Sequence, residues 1–317
     1  MSGHAGQARA RRHAVDEDAT NAYQSLSETT RHDDPRWAFG FGIEDVEAEV
    51  TAPVPDGADA ADLAIYCQML GDDALVYSHR LSEWVSNAPE LEEEVALANI
   101  ALDLLGQGRV LLARAGHLEG LVRGRGGDED TLAFFRDQAE FRNVALAEQS
   151  DELDFARCIA RLLVFSTWRL ALLHRLRGST DPVIAAVADR GTKELTYHRD
   201  YAARWTLRLG DGTAKSRRRM QAALDWIWPY VEELFGTSAE ERRLTAAGAA
   251  TDPTQTRDEV DDVLTRVLGQ ATLSRPERPP MGLIGGRGGR QGIHTEQLGR
   301  MLAEMQSLAR QHPGARW

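Results

Sequence analysis

One stretch limits the fold more than any other: NAPELEEEVALANIALDLLGQGRVLLARA, Asn87 to Ala115. It predicts a single long helix. Pro89 suits a first helical turn, where a missing N–H goes unused. Glu90, Glu92, Glu93 and Glu94 crowd the end where the helix dipole favours negative charge, and Arg109 and Arg114 lie toward the end where it favours positive charge. Gly116 is placed to close the helix. Leu91, Val95, Ala98, Leu102 and Leu105 make one apolar stripe, and Leu97, Ala101, Leu104, Gly108 and Leu111 make a second beside it. Two stripes predict burial on more than one side, as in the inner helix of a bundle. Asp103 and Gln107 fall inside that region, so this helix is the place to look for a metal site or its remains.

Other long helices accompany it. ADLAIYCQMLGDDALVYSHRLSEWV carries Leu63, Tyr66, Leu70, Ala74, Tyr77 and Leu81 at helical spacing. DELDFARCIARLLVFSTWRLALLHRLRG predicts a third helix, with Asp151 as N-cap and Gly178 as its stop. STDPVIAAVADRGTKELTYHRDYAARWTLRLGDG predicts a fourth, with Ser179 to Asp181 for capping, Pro182 near the first turn and Gly210 at the end. Between the second and third, TLAFFRDQAEFRNVALAE is partly helical, with Phe134, Phe135 and Phe141 as core anchors. TAKSRRRMQAALDWIWPYVEELFG gives a fifth, kinked at Pro229, residues 254–270 a sixth, and HTEQLGRMLAEMQSLARQH a last one with Thr295 at its start. No strand alternation appears. The expected class is all-α: a ferritin-like antiparallel four-helix bundle with additional C-terminal helices. Residues 1–57, which include Trp37, Phe39 and Phe41 among turn formers, are expected to be a mobile N-terminal extension. Residues 58–270 would form the bundle, and 271–317 a Pro/Gly-rich connector and a C-terminal helix packing on it.

Composition narrows the function. A net charge of -12 argues against nucleic acid. The two cysteines, Cys67 and Cys158, form no C-x-x-C, which fits a reducing cytoplasm and excludes a cysteine-based zinc site. The N-terminus has no apolar leader. The segment FARCIARLLVFSTWRLALLHRL is broken by Arg157, Arg161, Arg169 and Arg175 and cannot span a bilayer unaided, so no membrane role is expected. GLIGGRGGRQG lacks the G-K-[ST] ending and preceding strand of a phosphate-binding loop and is a connector. His79 and Glu83 suggest a solvated pair, and His174 sits at a helix end. Lys215, Arg217, Arg218 and Arg219 form a basic cluster, most simply a solvated helix face.

A ferritin-like bundle suggests di-iron chemistry. One Glu from each of two helices and a Glu-x-x-His pair from each of the other two converge on the metals. Residues at i and i+3 share a helical face, so both reach one site. The bundle helices contain no Glu-x-x-His; Glu194 and His198 lie four apart.

The pieces LGDDALVYSHRLSEW, APELEEEVALANIALDLLGQGR, FRN, KELTYHRDYAARWTLRLGDGT and GRQGIHTEQLGRMLAEMQ resemble the C subunit of the bacterial phenylacetyl-CoA epoxidase complex. The resemblance runs from about Leu63 to Phe235 and again from Gly289 to Trp317. It implies a non-catalytic structural subunit of a multicomponent monooxygenase of aerobic phenylacetate catabolism. That complex converts phenylacetyl-CoA, dioxygen and reducing equivalents into a ring 1,2-epoxide. By the same resemblance the di-iron site belongs to the related catalytic A subunit, with further epoxidase subunits and a contact with the CoA thioester as partners. A reductase carries electrons from NAD(P)H through flavin and iron–sulfur centres; no cofactor is expected in this chain. The A subunit's central helix carries a D-E-x-G-H-G pattern. Here it is Asp103-Leu104-Leu105-Gly106-Gln107-Gly108, with Leu104 and Gln107 at the ligand positions. Its K-E-E-S-F-H becomes Lys193-Glu194-Leu195-Thr196-Tyr197-His198, so Leu195 replaces a ligand and His198 is retained. The first-helix Glu falls near Ala74, with Asp73 beside it, and the third-helix carboxylate has no matched position. Leucine has no lone pair and a neutral amide is a poor imidazole, so no catalytic, cofactor-binding or metal residue is expected. Two rivals stay open. One is a free-standing metalloenzyme with a rearranged di-iron or di-manganese site at Asp73, Asp103, Glu194 and His198. The other is an acyl-CoA binding module that uses the basic cluster.

Overall fold

The computed structural model describes residues 50–124, 126–280 and 288–315. Most of the expected N-terminal extension, including Trp37, Phe39 and Phe41, and part of the connector lie outside the described residues.

Four long helices make the core, and no strand occurs among the described residues. α1 (Ala60–Ser82) starts at Asp59, whose carboxylate accepts from the amides of Ala61 and Asp62. Its six apolar positions from Leu63 to Leu81 are all buried, as the spacing predicts. A short turn leads to α2 (Leu91–Arg123), which packs antiparallel on α1. The two helices cross where glycines face each other: a Cβ on Gly108 would sit 3.2 Å from the Gly71 carbonyl oxygen. Pro89 lies in the turn before α2 rather than in its first helical turn.

The expected stop at Gly116 is wrong. α2 continues to Arg123 and ends at Gly124, whose φ of 69° is the left-handed value that favours glycine. Gly116 is glycine for a different reason: a Cβ there would lie 1.8 Å from the carbonyl oxygen of Gly127, in the chain that returns over α2. Gly116→Ala is therefore expected to destabilise by about 3 kcal/mol in urea melts, the upper end for overpacking, because the clash is with backbone. Gly106→Ala, where nothing lies within 4 Å, is the control and is expected to gain a few tenths of a kcal/mol, as an exposed helical glycine does.

After α2 the chain makes an excursion through α3 (Glu129–Phe134), a 3-10 turn at Gln138–Glu140 and α4 (Ala145–Glu148). Consecutive aspartates of α1 hold this excursion. Asp72 accepts from Arg136 and from the amide of Arg142, and Asp73 accepts from the amide of Val144 at 2.8 Å. Phe141 is buried as expected, but Phe134, the last residue of α3, is only half-buried and Phe135, just past its end, is exposed. α5 (Phe155–Leu176) and α6 (Pro182–Asp211) form the second antiparallel pair. Asp154, not Asp151, caps α5; Asp151 is drawn instead to Arg161 and Trp84. α6 is capped by Asp181 and runs just past Gly210.

α7 (Ala214–Ile227) lies against α5 and α6 and ends before Pro229, which sits in a 3-10 turn rather than kinking the helix. α8 (Ala239–Ala246), α9 (Arg257–Gln270), α10 (Glu296–Met305) and α11 (Ser307–Gln311) complete the all-α, ferritin-like bundle. The C-terminal segment is tied to the core: Arg290 grips Asp73 at 2.8 and 3.0 Å, and Arg80 donates to the Gln297 carbonyl.

The two stripes of α2 have opposite fates. Leu97, Ala101, Leu104 and Leu111 are buried. Leu91, Val95, Leu102 and Leu105 are 71%, 51%, 63% and 40% exposed. α2 packs against α1 and α6 and, nearer its C-terminal end, against α3, and no described element covers these four outer positions. The reading of α2 as a helix buried on two sides is corrected accordingly.

Candidate functional site

α1 brings Ala74 and Asp73 to the middle of the bundle, α2 brings Asp103, Leu104 and Gln107, and α6 brings Glu194, Leu195 and His198. Ala74, Leu104 and Leu195 are fully buried and act as core. Gln107 is buried and engaged at both ends of its amide. Its nitrogen donates to Glu194 Oε2 at 2.9 Å, and its oxygen accepts from Arg169 Nε at 3.1 Å. Gly191 gives this side chain room: a Cβ there would lie 3.1 Å from Gln107 Nε2 and 2.6 Å from Leu173 Cδ1.

Arg169, from α5, is the residue that sequence reasoning missed. It is fully buried. Beyond Gln107 it donates to the Leu70 carbonyl at 3.1 Å, and its Nη1 stands 4.0 Å from Asp73 Oδ2. Burial lowers its pKa to about 10, which leaves it protonated at neutral pH. A signal was present. Arg169 follows Leu162 and Phe165 at i+7 and i+4 on an apolar face, where an arginine must find partners inside.

His198 is buried, with Nε2 3.0 Å from Asp103 Oδ2. A carboxylate only accepts, so Nε2 carries the proton; Nδ1 is buried without a hydrogen-bond partner. The four residues of the rearranged site are thus split. Asp103 meets His198; Glu194 is held by Gln107 and Arg190; Asp73 is held by Arg290 and the Val144 amide. Among the described residues no group of three or more His, Cys, Asp or Glu side chains is gathered where a metal ion could be held. This donor set does not fit a di-iron centre: one imidazole and one amide are committed elsewhere, and a guanidinium stands among them.

The other sequence candidates are dispersed. Glu83 pairs with Arg80, one residue beyond His79. His174 lies in the last turn of α5. In the basic cluster, Arg217 donates to the Thr272 carbonyl and Arg219 pairs with Asp154, so half of it serves the fold.

A second polar cluster joins the excursion to the C-terminal segment. Glu233 accepts from the amides of Ala145 at 2.6 Å and Gly289 at 2.8 Å. Burial pushes its pKa from 4.5 up to about 7. The folded chain therefore binds this proton more tightly than the unfolded chain, and its stabilising contribution is present below about pH 4.5 and is lost as pH rises through about 7. Wild type is expected to lose on the order of 3 kcal/mol relative to Glu233→Gln between pH 4.5 and 8. Urea titrations at stepped pH check this; parallel curves for the two proteins would contradict it.

Four long core helices in two antiparallel pairs, with buried polar contacts between them, define a ferritin-like all-α bundle. Residues 47–317 match the family of phenylacetic acid catabolic proteins, and the chain belongs to that family. It is 43% identical over 255 residues to the C subunit of 1,2-phenylacetyl-CoA epoxidase from Escherichia coli strain K12, a match covering 80% of this chain and 99% of that protein.

Proposed function

We propose that the chain is a non-catalytic structural subunit of a phenylacetyl-CoA epoxidase, working in the cytoplasm in aerobic phenylacetate catabolism and supporting a di-iron A subunit. One observation carries this reading: the two faces of α2. Its inner face has Leu104 and Gln107 where ligands would be needed, and its outer face presents leucines that no described element covers. α2 is also the one described helix long and apolar enough to cross a membrane, yet more than half of that apolar window is buried in the bundle. The remainder suits a protein partner rather than lipid. In this reading the metal, the oxygen chemistry and most of the contact with the CoA thioester belong to the A subunit. This chain fixes the A subunit's fold and borders the substrate channel.

Co-expression with an A subunit tests the proposal. The two chains are expected to co-purify in a fixed ratio, with iron only in the A subunit. Failure to associate where the A subunit is folded would remove the structural reading. About two equivalents of iron on this chain, lost in His198→Ala, would favour the metalloenzyme instead.

A further inference from the structure

The core of this bundle is not merely emptied of ligands. We infer that Arg169 does here what a bound metal does in a catalytic bundle: it is a tethered cation that cross-links the core helices, so the chain reaches its assembly-competent fold without metal loading. The inference deepens the non-catalytic reading and rests on it for the positions of the former ligands.

The geometry is that of a cation at a junction. From α5, Arg169 binds the carbonyl of Leu70 and faces Asp73 on α1. It binds Gln107 on α2, and Gln107 passes the contact to Glu194 on α6. All four core helices are thus joined through one guanidinium and one amide. The oxygens involved come from a carbonyl, an amide and two carboxylates, the donor types a hard metal ion would take. Glutamine suits the α2 position because it can accept from the cation and donate to the carboxylate, whereas a carboxylate could only accept. Gly191 leaves the space this side chain needs. A divalent ion would have to enter beside a fixed positive charge and displace a guanidinium that already donates to the Leu70 carbonyl and the Gln107 amide oxygen. Restoring Leu104→Glu and Gln107→His is therefore expected to leave the chain without tight iron while Arg169 remains.

Thermal melts of the full purified chain, with manganous ion or with a chelator, test this. Wild type is expected to melt at the same temperature in both. Arg169→Met is expected to fall by about 8 °C or more, and Arg169→Lys by less, because the first strands the buried Gln107 amide oxygen and Leu70 carbonyl and removes the charge beside Asp73, while the second keeps a cation there. Arg169→Glu is expected to be the least stable without metal and to be raised by several degrees by manganous ion, which Arg169→Met is not, since only the former supplies a cation site. A wild-type melt that moves with metal or chelator would overturn the inference. So would an Arg169→Met variant as stable as wild type, or equal response of the Met and Glu variants to manganese. If Arg169→Glu does not fold, the wild-type arm and the Met and Lys variants decide the matter. Because these melts use the isolated chain, their failure is separate from a failure to bind the A subunit.

Discussion

Leu102→Asp combined with Leu105→Asp is expected to abolish capture of the A subunit while leaving this chain folded. Both leucines lie on the outer stripe of α2, 63% and 40% exposed, so little internal packing is lost when they change. The double variant should melt within about 2 °C of wild type, as surface substitutions away from special features do. At an interface the same side chains become central. Apolar anchors desolvated by a partner are worth roughly 2 kcal/mol each, and a carboxylate left in their place adds the cost of burying an unpaired charge. Two such changes give about a thousandfold loss of affinity. Leu91→Asp, at the helix start, is expected to cost less, since a rim position stays partly wet. Co-purification followed by a calorimetric titration reads both variants. Undiminished capture by the double variant would move the interface elsewhere, and a collapsed melt would show that the stripe serves the chain's own core.

The sequence carried different parts of this architecture with different clarity. Helical spacing in α1 located one buried stripe from Leu63 to Leu81, but the helix is buried on its other sides too, where Asp72, Asp73 and Arg80 meet the excursion and the C-terminal segment. In α2 the spacing showed two apolar stripes but could not say which was covered by the chain itself. A leucine reserved for a partner has the same side chain as one reserved for the core. Gly116 misled for a related reason. Glycine ends helices through its backbone freedom, and it also permits close backbone approach; here the second use applies, and Gly124 has the first. Asp151 shows the competition between local and distant partners. A capping role needed only the next turn, but Arg161 and Trp84 took the carboxylate, and Asp154 became the cap.

Leu104, Gln107, Leu195 and His198 stood out in the sequence because each sits within a short pattern on its own helix. Arg169 matched no pattern. Its meaning depends on Gln107, 62 residues away, and on a carbonyl of α1 even more distant in sequence. Pairings of that range are set by how helices pack, which local periodicity does not encode. The split of Asp73 from Asp103 and His198 has the same origin: Arg290, from the C-terminal segment, claims the Asp73 carboxylate.

The largest loss of stability from a single side chain is expected at Arg114. Its guanidinium and the carboxylate of Asp181 are both fully buried, 2.7 Å apart. The same guanidinium donates to the carbonyls of Val50 at 2.8 Å and Ala52 at 2.6 Å, while the other oxygen of Asp181 accepts from the amides of Val183 and Ile184 at the start of α6. One pair thus joins α2, the first turn of α6 and the segment entering α1. Arg114→Met keeps most of the side-chain length but leaves a buried carboxylate without its cation and strands two carbonyls. The expected cost is about 4 kcal/mol, or about 10 °C in the melting temperature of a domain this size. Asp181→Asn should cost somewhat less, since its amide oxygen still caps α6. The double variant should fall well short of the sum, because neither charge is then buried alone, giving a coupling of about 2 kcal/mol. Arg300→Ala, from an exposed pair with Glu296, should melt with wild type. Arg114 lies nine residues beyond Leu105, about 13 Å along α2 and on its inner side. At a temperature where Arg114→Met remains folded, it should therefore still capture the A subunit. Loss of capture in a folded Arg114→Met chain would mean that the register of α2 against α6, and not only its outer leucines, is what the partner reads.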